Sequence, residues 1–159
     1  MPSGQGSEDR SPVPSVRANG EDGVVAVCRK AVDRLARRIP AAHVSCHMQV
    51  GETLRVIASS GRLRLIYEMP RDRGGVCWRA VETGLPQLVE DVRLDPDYVA
   101  ADESVRAEVA VPVRRGDDGA LVLDAEFPDR PFSREEAEAV QAVAALLEED
   151  VRRPARQTS

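Results

Sequence analysis

The alternation of apolar and polar positions changes period several times along the chain, and each change marks an element. From Val24 to about Ile39, the apolar residues Val24, Val27, Cys28, Ala31, Val32, Leu35 and Ile39 recur at three- and four-residue spacing. That pattern predicts an amphipathic helix, with Pro40 as its stop. Period two then takes over. In HVSCHMQV, Val44, Cys46, Met48 and Val50 alternate with Ser45, His47 and Gln49. After a Gly51-Glu52 turn, Leu54, Val56 and Ala58 alternate with Thr53, Arg55 and Ile57, so a hairpin of two antiparallel strands is expected. A third strand is expected through Leu63, Leu65 and Tyr67.

Residues 75–83 read as a short helix closed by Gly84 at its C-cap. PQLVED is a short strand, and 92–106 is irregular with a turn at Asp95-Pro96-Asp97. Two strong strands, 107–113 and 120–127, flank the loop RRGDDG. Ser133 and Glu136 form a capping box that opens a helix running to about Arg153, where Pro154 ends it. Helix, strands, short helix, strands and helix in that order, with hairpins between strands, give an α+β domain. Its expected form is one antiparallel sheet with the terminal helices on one face. The domain is placed at 23–153, between a polar Pro-, Gly- and Ser-rich tail at 1–22 and a second tail at 154–159.

With 159 residues, the chain has room for one domain. Its net charge of −5 and lack of a basic block argue against nucleic acid or an anionic membrane as the main partner. No apolar run approaches the roughly 20 residues that span a bilayer, and the N-terminus lacks the regions of a secretory signal. A cytoplasmic protein is expected. Cys28, Cys46 and Cys77 cannot all pair, and none forms a C-x-x-C. With His43 and His47 they are scattered along the sequence, so no metal site is expected.

Several motifs then occur in order from Gly75: A-x-x-T-G, P-x-x-V-x-D-V, D-P-x-Y, S-V-R-x-E with V-P three residues on, V-L-x-x-E, and F-S-x-E-E opening the last helix. Together, over roughly 24–151, they resemble a GAF domain. The resemblance implies a GAF/PAS-like six-stranded antiparallel sheet, terminal helices on one face and a loop-roofed small-molecule pocket on the other. It also implies ligand sensing and, often, dimerisation through the terminal helices.

Strand parity says more about that pocket. Val109, Val111 and Val113 share a face, as do Leu121, Leu123, Ala125 and Phe127, and these should pack on the helices. Glu108, Asp124 and Glu126 then project to the opposite side, with Glu108 facing Asp124 or Glu126 according to register. Carboxylates so gathered repel unless a cation, an arginine or a proton sits among them. They read as a site for an amine or other cationic group, or else as partners of Arg106 or another arginine, or as solvated residues. Trp78 and Tyr98 fall in the segments that roof a GAF pocket, where they could stack on a ligand; a core role is equally open for Trp78. Asp91 and Asp102 read as loop-shaping residues, Cys46 as core and His47 as surface, and His43 is expected to precede its strand.

The chain also resembles the free methionine-R-sulfoxide reductases within the GAF family. Cys77 matches their G-x-C, and Glu108, Asp124 and Glu126 match the acidic residues that hold the substrate amino group. Their nucleophilic cysteine sits in H-I-x-C-D, where this chain reads Tyr98-Val99-Ala100-Ala101-Asp102. Alanine has no thiolate, so Ala101 argues against catalysis in that manner. The N-K-x-F signature of cyclic-nucleotide binders is missing, and neither a bilin nor a haem anchor is evident, so no cofactor is expected. The expected ligand-binding set is Cys77, Trp78, Tyr98, Glu108, Asp124 and Glu126.

The last helix carries two apolar rows. Ala137, Val140, Ala144, Leu147 and Val151 form one; Ala139, Val143 and Leu146 form the other. A wide arc suggests a homodimer through helices 24–39 and 133–153, or else a broad core face. Three functions follow: a stand-alone GAF sensor that binds a small ligand and regulates a partner, a GAF dimerisation scaffold, or a divergent sulfoxide reductase.

Overall fold

The computed structural model describes residues 21–152. The stretch expected as a tail over 1–20, and that over 154–159, lie outside the described residues. Helix α1 spans Glu21–Arg38, so Glu21 and Asp22 belong to its first turn rather than to the expected tail. Strands β1 (His43–Val50) and β2 (Thr53–Ser60) form the expected hairpin, followed by β3 (Glu68–Pro70). Helix α2 spans Val76–Thr83 and ends at Gly84, whose φ of 68° is left-handed and whose N–H returns to the Ala80 carbonyl. Short β4 (Gln87–Val89), then β5 (Val105–Arg114) and β6 (Ala120–Pro128), complete the sheet, and α3 spans Arg134–Arg152.

Every strand pair is antiparallel, and the sheet order is β3-β2-β1-β6-β5-β4. The central strands β1, β6 and β5 are therefore buried on both faces. Their helix-side residues, among them Cys46, Val109, Val113, Leu121 and Phe127, pack with Cys28, Val32 and Leu35 of α1 and Val140, Val143 and Leu147 of α3. A second core lies on the other face, where Trp78 and Ala80 of α2 meet Leu54, Ala110 and Val122.

Two sequence expectations need correction here. The third strand lies at 68–70, not through Leu63, Leu65 and Tyr67, because residues 61–67 form an irregular loop that folds over the sheet. The Tyr67 carbonyl still accepts from Val56 N–H, so that loop joins the sheet edge at its end. The second concerns β2. Between Cys46 opposite Ala58 and His47 opposite Val56, the register slips by one residue at Ile57. This bulge reverses facing. Leu54 belongs to the α2-side core while Ala58 belongs to the helix-side core, although strict alternation puts both on one face.

The capping box is present as expected. Ser133 Oγ accepts from Glu136 N–H at 3.1 Å, and Ser133 N–H donates to Glu136 Oε1 at 2.9 Å. Both apolar rows of α3 are used within the chain: Ala139 and Val143 of the second row are as buried as Val140 and Leu147 of the first. Only Leu146, 43% exposed, stands out from the layer as a large apolar side chain on this helix. Among the described residues no helix is long and apolar enough to cross a membrane.

Candidate functional site

Period two in the three central strands builds the floor of the site. On the face away from α1 and α3, β1 offers Ser45 and His47, β6 offers Asp124 and Glu126, and β5 offers Glu108. The register pairs Glu108 with Glu126 and sets Asp124 opposite Ala110 on β5 and Ser45 on β1. Helix α2 lowers Cys77 onto this floor, its thiol 3.9 Å from Glu108 Oε1. The roof is two loops: Leu65 and Ile66 come from 61–67, and Tyr98, Val99 and Ala101 come from 95–104. These surfaces enclose a cavity of about 30 Å³.

The roof is tied down by polar contacts that leave the cavity itself free. Asp102 accepts from Arg64 N–H at 3.1 Å, linking the two roof loops, and from Ser104 N–H and Oγ at 3.0 and 2.8 Å. These donors hold its carboxyl down at about 2. Arg79 of α2 grips Asp95 with two hydrogen bonds, of 2.9 and 2.6 Å, and Asp97 with a third. Asp91 pairs with Arg93 and Arg106. The loop-shaping roles expected of Asp91 and Asp102 are thus what the geometry shows.

Inside the cavity the charges lack such partners. One carboxylate oxygen from each of Glu108, Asp124 and Glu126 lies within 4.8 Å of the others. Asp124 is 1% exposed, and its Oδ1 has no hydrogen-bond partner. No ion pair among the described residues includes any of the three acids; Arg106, the arginine expected beside them, is paired with Asp91 instead. At such spacing two full negative charges repel by about 3–4 kcal/mol at an effective dielectric near 20. Burial therefore raises all three carboxyls, Glu126 to about 8 and Asp124 well above its ordinary range, with mutual repulsion adding to the shift at Asp124 and Glu126. Burial, with the neighbouring acids, also pushes the Cys77 thiol up, and the Tyr98 phenol behaves likewise, its hydroxyl buried without a partner.

Cys77, Tyr98, Glu108, Asp124 and Glu126 line this one cavity; Trp78 does not. It is 1% exposed in the second core, its Nε1–H donates to the Met69 carbonyl at 2.9 Å, and the Arg71 guanidinium lies 4.4 Å above its ring. One residue beyond Cys77 along the helix, it is turned from the acidic floor toward β3. Of the two roles open to Trp78, stacking in the roof and packing in the core, the structure shows the core one, and its place in the expected ligand-binding set is corrected.

The histidines are corrected as well. His47, expected on the surface, is 5% exposed and lines the cavity. Its Nε2 shares a hydrogen bond of 3.1 Å with Ser45 Oγ, its Nδ1 has no partner, and burial lowers its pKa to about 4. His43 opens β1 rather than preceding it and accepts from Leu63 N–H at 3.1 Å. A polar residue at an alternate strand position signals a solvated face, and only the roof loops, distant in sequence, overrule that signal here.

A model of the GAF domain matches residues 24–150. The chain belongs to the GAF domain family. Solved structures agree on the fold. A free methionine-R-sulfoxide reductase from Neisseria meningitidis, in complex with its substrate, superposes with a TM-score of 0.71 at 25% identity, over 80% of this chain and 77% of that one. A type II free methionine-R-sulfoxide reductase from Thermoplasma acidophilum gives 0.69 at 22% identity, over 82% and 93%. In sequence, Protein ZMO0507 of Zymomonas mobilis is 36% identical over 75 residues. That match spans 46% of this chain and 45% of the relative, so the two are comparable over less than half their lengths.

Proposed function

We propose that this GAF domain is a sensory or regulatory module that binds a small cationic ligand in the cavity over β1, β5 and β6, without catalysis. The observation that carries the reading is the set of three buried carboxyl groups, Glu108, Asp124 and Glu126, that no basic side chain among the described residues neutralises. Buried charge costs several kcal/mol unless it is paired. A GAF chain that keeps three such groups in one cavity has a use for them, and a cationic group satisfies all three. Likeness in fold to a reductase solved in complex with its substrate supports small-molecule binding by this domain.

Catalysis by sulfoxide reduction has little support. Ala101 lines the cavity at the position that the resemblance gives to the nucleophile. Cys28 and Cys46 are buried in the helix-side core, and the raised Cys77 thiol is a poor nucleophile. Both apolar rows of α3 being used within the chain, output through a homodimer across α1 and α3 would rest on what they leave exposed, such as Leu146; sedimentation velocity of the full chain tests it, and a monomer at all concentrations overturns it.

The binding test is a thermal-shift screen of the full chain against amino acids, methionine sulfoxide, polyamines and nucleotides. A ligand at a hundred times its Kd adds about 2.7 kcal/mol to native stability. A shift with amine-bearing ligands, lost in Glu108→Gln, is expected. The small cavity favours one second reading, a GAF scaffold with a closed pocket. No shift with any cation in the panel would favour that scaffold.

A further inference from the structure

The inner end of the cavity is not purely acidic. A ring nitrogen of His47, the sulfur of Cys77 and a carboxylate oxygen of Asp124 lie within 4.8 Å of one another, all three side chains buried. They come from β1, α2 and β6, so the fold gathers residues that are far apart in sequence. Asp124 also belongs to the acidic triad with Glu108 and Glu126, and Cys77 reaches Glu108 at 3.9 Å. Three buried atoms on side chains that line this cavity lack partners, His47 Nδ1, Asp124 Oδ1 and the Tyr98 hydroxyl. Buried polar atoms in native proteins are nearly always satisfied, so three orphans on the lining of one cavity point to something that binds there.

We propose that His47, Cys77, Asp124 and Glu108 form a binding site for a divalent metal ion of the Zn²⁺ type. The inference rests on the reading of the cavity as a cation site and names the cation more narrowly. Four features carry it. A donor set of one imidazole, one thiol and two carboxylates suits a borderline-soft ion; hard ions such as Mg²⁺ take oxygen alone. Zinc bonds of about 2.0–2.3 Å place tetrahedral ligand atoms about 3.3–3.7 Å apart, so side-chain movements of about 1 Å bring the donors of His47, Cys77 and Asp124 together, and Glu108, 3.9 Å from Cys77 Sγ, stands beside them as the fourth. The cavity, about 30 Å³, holds an ion and one water, since a water needs only about 10–15 Å³.

The fourth feature is the shell around the donors. Ser45 Oγ, itself fully buried, holds His47 Nε2 and leaves Nδ1 free, the kind of outer hydrogen bond that orients a ligating histidine. On binding, the ion bonds to Cys77 Sγ and to carboxylate oxygens of Asp124 and Glu108, and the protons that burial holds on the thiol and on these carboxyls leave to solvent. The ion's two positive charges then offset the negative charge so exposed.

The test is titration of Co²⁺, a spectroscopic stand-in for Zn²⁺, into the full chain after chelator treatment. A thiolate-to-cobalt charge-transfer band saturating at one equivalent, bleached by Zn²⁺, is expected. Cys77→Ser should abolish the band, while Cys28→Ser, altered in the opposite core, should keep it. His47→Gln and Asp124→Asn should weaken binding by more than the roughly 10–100-fold that losing an outer-shell partner costs. Far-UV circular dichroism and the metal-free Tm of each variant show that it is folded. Asp124→Asn keeps the side chain's size and carries the test if Cys77→Ser does not fold. Absence of the band, or its persistence in folded Cys77→Ser, overturns the site. A thermal shift of the chelator-treated protein by an amine, with no cobalt band, overturns the metal and leaves the cation pocket standing. A cobalt band with no amine response supports the metal and removes the amine.

Discussion

At the scale of single residues, the same strand parity that buries Val109 and Leu123 on the helix side puts Glu108, Asp124 and Glu126 on the other. That much follows from alternation alone, and the register, Glu108 opposite Glu126, chooses between the two pairings that alternation leaves open. His47 obeys the same alternation from β1, yet its burial comes from roof loops that alternation does not describe. Trp78 shows the opposite limit: its segment borders the pocket, but helix rotation takes the ring elsewhere. As a core residue, Trp78→Ala should cost about 3–5 kcal/mol in denaturant unfolding. Trp78→Phe should retain most of that stability and leave cation-induced thermal shifts unchanged. A loss of cation response in folded Trp78→Phe would return the ring to the site.

At the scale of elements, helices were the most legible because caps and periodicity are local. The capping box of α3 makes a measurable contribution: Ser133→Ala should lower stability by about 1 kcal/mol in equilibrium unfolding. Its Glu136 also pairs with Arg130 through two contacts of 2.8 Å, chiefly responsible for holding the carboxyl at about 2, against an ordinary value of 4.5. A depressed acid contributes stability above its unfolded pKa and loses it as pH falls through the folded one. The wild-type protein should therefore lose stability between about pH 4.5 and 2 more steeply than Glu136→Gln, as acid-dependent melting curves would register.

Strands were less legible where sheet neighbours set them. The bulge at Ile57 and the late start of β3 both depend on what β2 pairs with, not on its own sequence. The roof is likewise a matter of tertiary contact. With the Asp102 clasp removed, Asp102→Ala should speed amide hydrogen exchange in 61–67 and 98–104 while leaving β1, β5 and β6 protected. Unchanged exchange in both loops would mean that the clasp does not hold the roof.

Over the whole molecule, one sheet separates two tasks. The face toward α1 and α3 is an apolar core that absorbs both rows of the last helix, so the width of that helix's apolar arc is accounted for within one chain. The opposite face holds three buried acids, which on the proposed reading cost the free domain stability and are offset by a bound cation. Such a trade predicts a reversal of order between two proteins. Burial raises the Asp124 carboxyl well above its ordinary range, and an amide of similar volume carries no such ionisation cost. The decisive measurement is thus the melting temperature of wild type and Asp124→Asn, each in chelator-treated buffer and again with saturating Zn²⁺ or the amine found by screening. Asp124→Asn should melt above wild type without the cation and below it with the cation. Wild type melting higher in both conditions, or neither protein responding to any cation, would contradict the account.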